Sequence, residues 1–121
     1  MIFSKKILLI VDNDEDWLEL LERFLKGQGF EVLSAQNNTA AVKTAMQTLP
    51  DCAIVDMKLG AEDGMDLCRF IKASPVLKGV PVIMLSGLDG APEDAGCDAF
   101  VCKADGMDRL LSVIKKLIAE K

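Results

Sequence analysis

Hydrophobic residues along the chain follow two alternating periods. Ile7-Leu8-Leu9-Ile10-Val11 is an unbroken apolar run of strand length, the pattern of a strand covered on both faces. From Asp14 onward Trp17, Leu18, Leu20, Leu21, Phe24 and Leu25 recur at spacings of three and four until Gly27 and Gly29 end the pattern, which predicts an amphipathic helix. Glu31 to Ala35 predicts a short second strand. Thr39 to Leu49 predicts a second helix, with Ala41, Val42, Ala45, Met46 and Leu49 on one face and Pro50 closing it. Cys52-Ala53-Ile54-Val55 repeats the buried-strand signature and runs into Asp56. Met65, Leu67, Cys68, Phe70 and Ile71 form a third helical stripe that stops before Ser74-Pro75. Pro81 to Leu85 predicts a fourth strand and Phe100 to Cys102 a fifth, and Leu110, Leu111, Ile114, Leu117 and Ile118 mark a final amphipathic helix.

Strands and helices that alternate with short connections predict an α/β protein, a doubly wound five-stranded parallel sheet with helices on both faces. A chain of 121 residues holds one hydrophobic core, so residues 1–121 are expected to form a single domain. One connection is unusual. Only sixteen residues separate Ser86 from Lys103, too few for a strand, its loops and an average helix of ~11 residues. A shortened fourth helix is expected there, with Pro92 at its first position, Glu93 and Asp94 near its positive end, and Gly96 ending it.

Composition narrows the function. Half of the chain is apolar, enough to bury a core, and 14 basic against 19 acidic residues leave a net charge of −5. That sign repels phosphate backbones and anionic lipid, so direct contact with nucleic acid is not expected. The apolar runs fall far short of the ~18 residues of a membrane span, so no membrane insertion is expected. Lys5 and Lys6 imitate the start of a signal peptide, but Asp12 cuts the apolar run too early, and a cytoplasmic protein is expected. Asn37-Asn38-Thr39 fits a glycosylation sequon without meaning in such a chain. The four cysteines, at 52, 68, 97 and 102, form no C-x-x-C pair, and the absence of histidine excludes a mixed His/Cys zinc site. Reduced thiols filling the core are preferred over a four-thiolate zinc site.

In open parallel sheets ligands bind beyond the carboxyl ends of the strands. The first strand is followed by Asp12-Asn13-Asp14, the third ends at Asp56, the fourth leads to Ser86-Gly87 and the fifth to Lys103. Two carboxylates on neighbouring strands, ~5 Å apart, repel each other unless a cation lies between them. Oxygen donors without histidine or cysteine select a hard ion such as Mg²⁺. A carboxylate beside Mg²⁺ and a lysine can accept a phosphoryl group, because the cations offset the charge on its equatorial oxygens, and aspartyl phosphate is the chemistry suggested.

These residues give the chain a nearly end-to-end resemblance to the response-regulator receiver domains of two-component signalling. The resemblance implies a CheY-like, flavodoxin-like fold with strand order 2-1-3-4-5. It implies that Asp56 is the phosphoacceptor, Asp12 the first of an acidic pair, Ser86 the hydroxyl switch, Lys103 the phosphate-contacting lysine and Phe100 the aromatic switch. Mg²⁺ would be held by Asp12, Asn13, Asp56 and the carbonyl of Lys58, while Asp63-Gly64 fits the family's Asp-Gly before the third helix. The chain departs from the family pattern at three places. Asn13 stands at the second acidic position, where an uncharged amide should lower Mg²⁺ affinity, and where it could also serve as the first helix's N-cap. Gly60 replaces a proline after the acceptor strand. Ala104 replaces the proline after the lysine, and a non-proline cis bond there would cost ~3 kcal/mol.

The implied partners are a histidine kinase or histidine phosphotransfer protein upstream and a downstream protein or output domain outside this chain. The implied chemistry is Mg²⁺-dependent self-phosphorylation and self-dephosphorylation at Asp56, not turnover by an enzyme. Signalling would move the Ser86 hydroxyl toward the phosphoryl group and turn the ring of Phe100 inward, with changes concentrated in Gly87 to Phe100. Two other readings are kept. Asn13 and Ala104 allow a degenerate, unphosphorylated receiver used as a docking module. Asp12-Asn13-Asp14 also resembles the D-x-D of haloacid-dehalogenase-like phosphatases, although Asp56 would then be idle and no second acidic pair follows a later strand. Asp14, Glu15 and Asp16 are read as helix-dipole acids and Trp17 as core.

Overall fold

The computed structural model describes residues 5–87 and 96–120. The chain runs β1 (Ile7–Val11), α1 (Glu15–Gly27), β2 (Glu31–Ala35), α2 (Asn38–Thr48), β3 (Cys52–Asp56), a two-residue pair β4 (Lys58–Leu59) and β5 (Glu62–Asp63), α3 (Gly64–Ala73), β6 (Val82–Ser86), β7 (Ala99–Cys102), a 3₁₀ turn (Lys103–Asp105) and α4 (Met107–Ala119). Five strands form one parallel sheet in the order β2-β1-β3-β6-β7. Counting sheet strands alone, this is the 2-1-3-4-5 order implied by the resemblance. The shortened helix expected around Pro92 lies outside the described residues.

Side chains alternate across the sheet, so its two faces seed two cores. Leu9, Val11, Ala53, Val55, Val82 and Met84 pack against α2 and α3. Leu8, Ile10, Ile54, Ile83, Leu85 and Val101 pack against α1 and α4. The central strands therefore read as continuous apolar runs. All four cysteines are free, with Cys52 and Cys68 buried and Cys97 and Cys102 half-buried. Burial, with a smaller push from Cys97, raises the Cys68 thiol to about 11 and keeps it protonated, which fits a core filler better than a metal ligand.

The observed helices bury less than their stripes suggested. Leu20, Met46, Leu49 and Phe70, all placed on apolar faces by their spacing, are exposed. In α2 the buried residues are Ala41 and Ala45, whose small side chains let the helix approach the sheet closely. Leu49 caps that helix in the left-handed region (φ 49°), which turns it out of the helical face. In α1 the buried positions are Leu18, Leu21 and Leu25, a narrower arc than the six-residue stripe. The boundaries otherwise shift by only a few residues.

Ile10→Ala empties a position that is 0% exposed and is expected to cost about 2–5 kcal/mol in urea unfolding. Leu20→Ala, at a side chain 53% exposed, should stay within about 0.5 kcal/mol of wild type.

Candidate functional site

The register of the sheet assembles the site. Val11 pairs with Val55, so the residues that follow them, Asp12 and Asp56, leave adjacent strands side by side. Asp56 pairs with Leu85 and Ser86 with Cys102, which carries Ser86 and then Lys103 to the same edge. Asp12 continues the row of Leu8 and Ile10, and Asp56 that of Ile54, so both belong to the α1/α4 side of the sheet. The reversal of strand order between β1 and β3 is the topological switch point of such a sheet.

Among the described residues Asp12 and Ser86 are the polar side chains buried within the core. The Lys103 ammonium lies between the carboxylates, donating to Asp12 Oδ2 at 2.8 Å and to Asp56 Oδ2 at 3.3 Å. The other oxygens meet backbone: Asp12 Oδ1 accepts from the Asp14 N–H at 3.0 Å, and Asp56 Oδ1 from the Lys58 N–H at 3.3 Å. Beside them a cleft of about 290 Å³ is lined by Asp56, Met57, Lys58, Ser86, Gly87 and Lys103. Phe100 is half-buried on β7 and packs against the core on the α2/α3 side.

The loop after β3 is fixed by contacts that sequence periodicity does not reveal. Lys58–Leu59 and Glu62–Asp63 pair as an antiparallel ribbon turned at Gly60, whose φ is +64°. The Asn38 side-chain amide donates to the Asp63 carbonyl at 3.3 Å and so ties this ribbon to α2. Asp63 caps α3, accepting from the Met65 N–H at 2.9 Å. Gly64 packs directly on the Asp56 backbone, and a Cβ there would collide with the Asp56 carbonyl. The Asp-Gly pair therefore has a steric reason at this position.

Asn13 is not the N-cap of α1. That role belongs to Asp14, which accepts from the Asp16 and Trp17 N–H groups at 3.0 and 3.2 Å. Asn13 is exposed, and its amide faces Gly60 in the loop after β3, 3.1 Å from where a Cβ on that glycine would sit. Trp17 does more than fill core: its ring lies 5.1 Å, centroid to Nζ, from the Lys103 ammonium. Among the described residues no peptide bond is cis, the Lys103–Ala104 bond included.

The side-chain donors at this edge are oxygens, the Asp12 and Asp56 carboxylates with the Asn13 amide beside the loop that carries Lys58. They suit a hard divalent cation, with two negative charges in place of three because position 13 carries an amide, while the neighbouring Asp14 is committed to capping α1. Among the described residues no cluster of three or more acidic or cysteine ligands forms.

Burial, and then the neighbouring Asp12 charge, raise the Asp56 carboxyl above its ordinary range, although the Lys103 ammonium and the Lys58 N–H pull it down. For Lys103, burial would lower the ammonium, but the hydrogen bond and charge of Asp12, followed by Asp56, outweigh it and the net direction is up. One ammonium thus does not fully balance the buried Asp12 and half-buried Asp56 carboxylates.

A doubly wound sheet of this order, with an acid pair at its switch point and a hydroxyl and a lysine at the ends of the next two strands, defines a CheY-like fold bearing an anionic pocket. The chain belongs to the family of response regulator receiver domains of two-component systems, whose family model matches residues 8–115. It is similar to the transcriptional regulatory protein GltR of Pseudomonas aeruginosa, with 32% identity over 92% of this chain and 48% of that protein. Its similarity to the response regulator PleD of Caulobacter vibrioides is 31% over 79% of this chain and 22% of that one. The chain spans about half or less of the length of the curated relatives it matches.

Among solved structures it resembles a putative response regulator from Chloroflexus aurantiacus, with TM-score 0.88 and 31% identity over 96% of this chain and 99% of that one. It also resembles the Thermotoga maritima response regulator TrrA in complex with Mg²⁺-BeF, with TM-score 0.85 and 27% identity over 93% and 98% of the two chains. Kinases and output domains are the partners of receiver domains, and relatives include a DNA-binding response regulator, MtrA of Mycobacterium leprae. No described helix is long and apolar enough to cross a membrane.

Because the folded chain holds the Asp56 proton more tightly than the unfolded chain, the folded state loses stability as pH rises from the ordinary carboxylate value through the raised one, and the deficit is complete above it. In metal-free buffer Asp56→Asn is therefore expected to melt above wild type at pH 7, since Lys103 keeps its shorter bond to Asp12. The advantage should shrink as pH falls into the acid range. Thermal melts at several pH values check this, and a difference independent of pH would contradict it.

Proposed function

We propose that this chain is a phosphoacceptor receiver, with Asp56 as the residue modified. The observation that carries the reading is the Lys103 ammonium bridging Asp12 and Asp56 at 2.8 and 3.3 Å beside the cleft that Ser86 lines. A carboxylate oxygen of Asp56 bonds to phosphorus as the bond to the donor breaks. For a phosphohistidine donor, the electrons of the P–N bond return to the imidazole, which takes a proton from solvent. The histidine lies outside these 121 residues, which hold none, on a kinase or phosphotransfer protein.

Each side chain has a task in this reaction. Lys103 faces the acceptor oxygen and places positive charge where the transferred group gains negative charge. Asp12, Asn13, Asp56 and the Lys58 carbonyl would hold Mg²⁺, which supplies further positive charge to the equatorial oxygens. Ser86 offers a hydroxyl to the phosphoryl group, and Phe100, on the neighbouring strand, reports that movement to the surface by repacking. The chain acts once per phosphoryl group accepted, as a switch and not as a turnover enzyme, and works in the cytoplasm on an output partner or domain.

Incubation with acetyl phosphate and Mg²⁺ should add one phosphoryl group by intact mass, and Asp56→Asn should abolish the gain. Label that persists in the variant or maps to Asp12 would overturn the assignment. Steady phosphate release from many substrates would favour a phosphatase, and no uptake at all would favour a docking module.

Asn13→Asp restores a third carboxylate beside the ion and should tighten Mg²⁺ severalfold in a titration followed by Trp17 emission. An unchanged affinity would remove Asn13 from the ion's donor set.

A further inference from the structure

We infer that Trp17 is a positioning residue for Lys103, holding the ammonium in place between the two carboxylates; this inference rests on the function proposed above. Lys103 reaches the site on a flexible four-carbon stem, and its two hydrogen bonds restrain the ammonium only from the carboxylate side. The Trp17 ring, 5.1 Å from Nζ, adds a third restraint through the attraction of a cation to an aromatic face.

Trp17 is itself well anchored. Its backbone N–H donates to Asp14 Oδ1 at 3.2 Å in the cap of α1, and Asp14 in turn donates its N–H to Asp12 Oδ1 at 3.0 Å. The indole body packs against the core between the sheet, α1 and α4. Its Nε1 is buried without a hydrogen-bond partner among the described residues. A buried donor left unpaired is unfavourable, so no hydrogen bond accounts for this ring orientation. Packing and the facing ammonium are the contacts that remain. A leucine would fill much of the same apolar space, but only an aromatic ring also presents a negative face to Lys103.

A double-mutant cycle tests the coupling, with phosphorylation by acetyl phosphate as one readout and tryptophan emission as the other. Trp17→Leu should slow phosphorylation by about two- to thirtyfold, the range for an ammonium–aromatic contact from exposed to desolvated sites. Trp17→Phe should stay close to wild type. In a Lys103→Met background Trp17→Leu should have no further effect. Equal slowing in both backgrounds, or no slowing in either, would overturn the inference.

Emission supplies a readout independent of phosphorylation. The chain has one tryptophan and no tyrosine, so emission reports the surroundings of Trp17 alone. Lys103→Met should shift that emission before any phosphoryl donor is added, and an unchanged spectrum would overturn the inference even if Trp17→Leu failed to fold. If wild-type protein accepts no phosphoryl group, the proposed function fails, while the emission comparison still decides whether Trp17 senses Lys103.

Discussion

Like charge at the carboxyl edge of the sheet is the constraint around which the rest of the site is arranged. The pairing of Val11 with Val55 brings Asp12 and Asp56 out side by side, Asp12 almost fully buried. Such a pair persists only with compensation on every exposed oxygen. The structure supplies it in parts: an ammonium between the inner oxygens, and backbone N–H groups of Asp14 and Lys58 on the outer ones. Each of those donors is itself fixed by a local device. The Asp14 cap starts α1 and the 3₁₀ turn presents Lys103. Gly64 lets α3 begin against the Asp56 backbone, which holds the loop after β3 in reach of Asp56.

Much of this was legible in the sequence, for a simple reason. A strand buried on both faces has no polar interior, so the first polar residue after each apolar run marks where the strand leaves the core. Asp12, Asp56, Ser86 and Lys103 were all located that way. Period two also places Asp12 and Asp56 on one side of the sheet, because each lies an even number of residues beyond an apolar neighbour on that side. What periodicity could not give is the depth to which a helix sinks. Leu20, Met46, Leu49 and Phe70 satisfy the helical spacing yet face solvent, since an apolar stripe can be wider than the arc in contact with the sheet.

The choice between Asn13 and Asp14 as the cap of α1 has a different origin. Asn and Asp are nearly equivalent N-caps, so Asn13 and Asp14 could not be separated by residue type. Asp14 takes the role because Asp12 must turn inward at the strand end, and the Asp14 N–H closes that turn on Asp12 Oδ1. Asn13 is left facing Gly60 in the loop after β3. The double use of Trp17 was hidden for a similar reason: a core stripe and an aromatic surface for a lysine 86 positions later carry the same local pattern, and only the packing of α1 beside the end of β7 distinguishes them.

The charge at this edge also bears on how the proposed site would work. Two carboxylates and one ammonium leave it at −1, where a third acid in place of Asn13 would leave −2. The resting pocket therefore attracts a divalent cation less strongly than a three-acid pocket. With the cation bound, however, the same pocket carries one more positive charge toward an incoming phosphoryl group. Substituting asparagine shifts electrostatic stabilisation from the resting ion complex to the phosphorylated one, provided Lys103 does not swing away to follow the negative charge. The position of that ammonium then matters more than it would with three acids, and the side chain placed to hold it is Trp17.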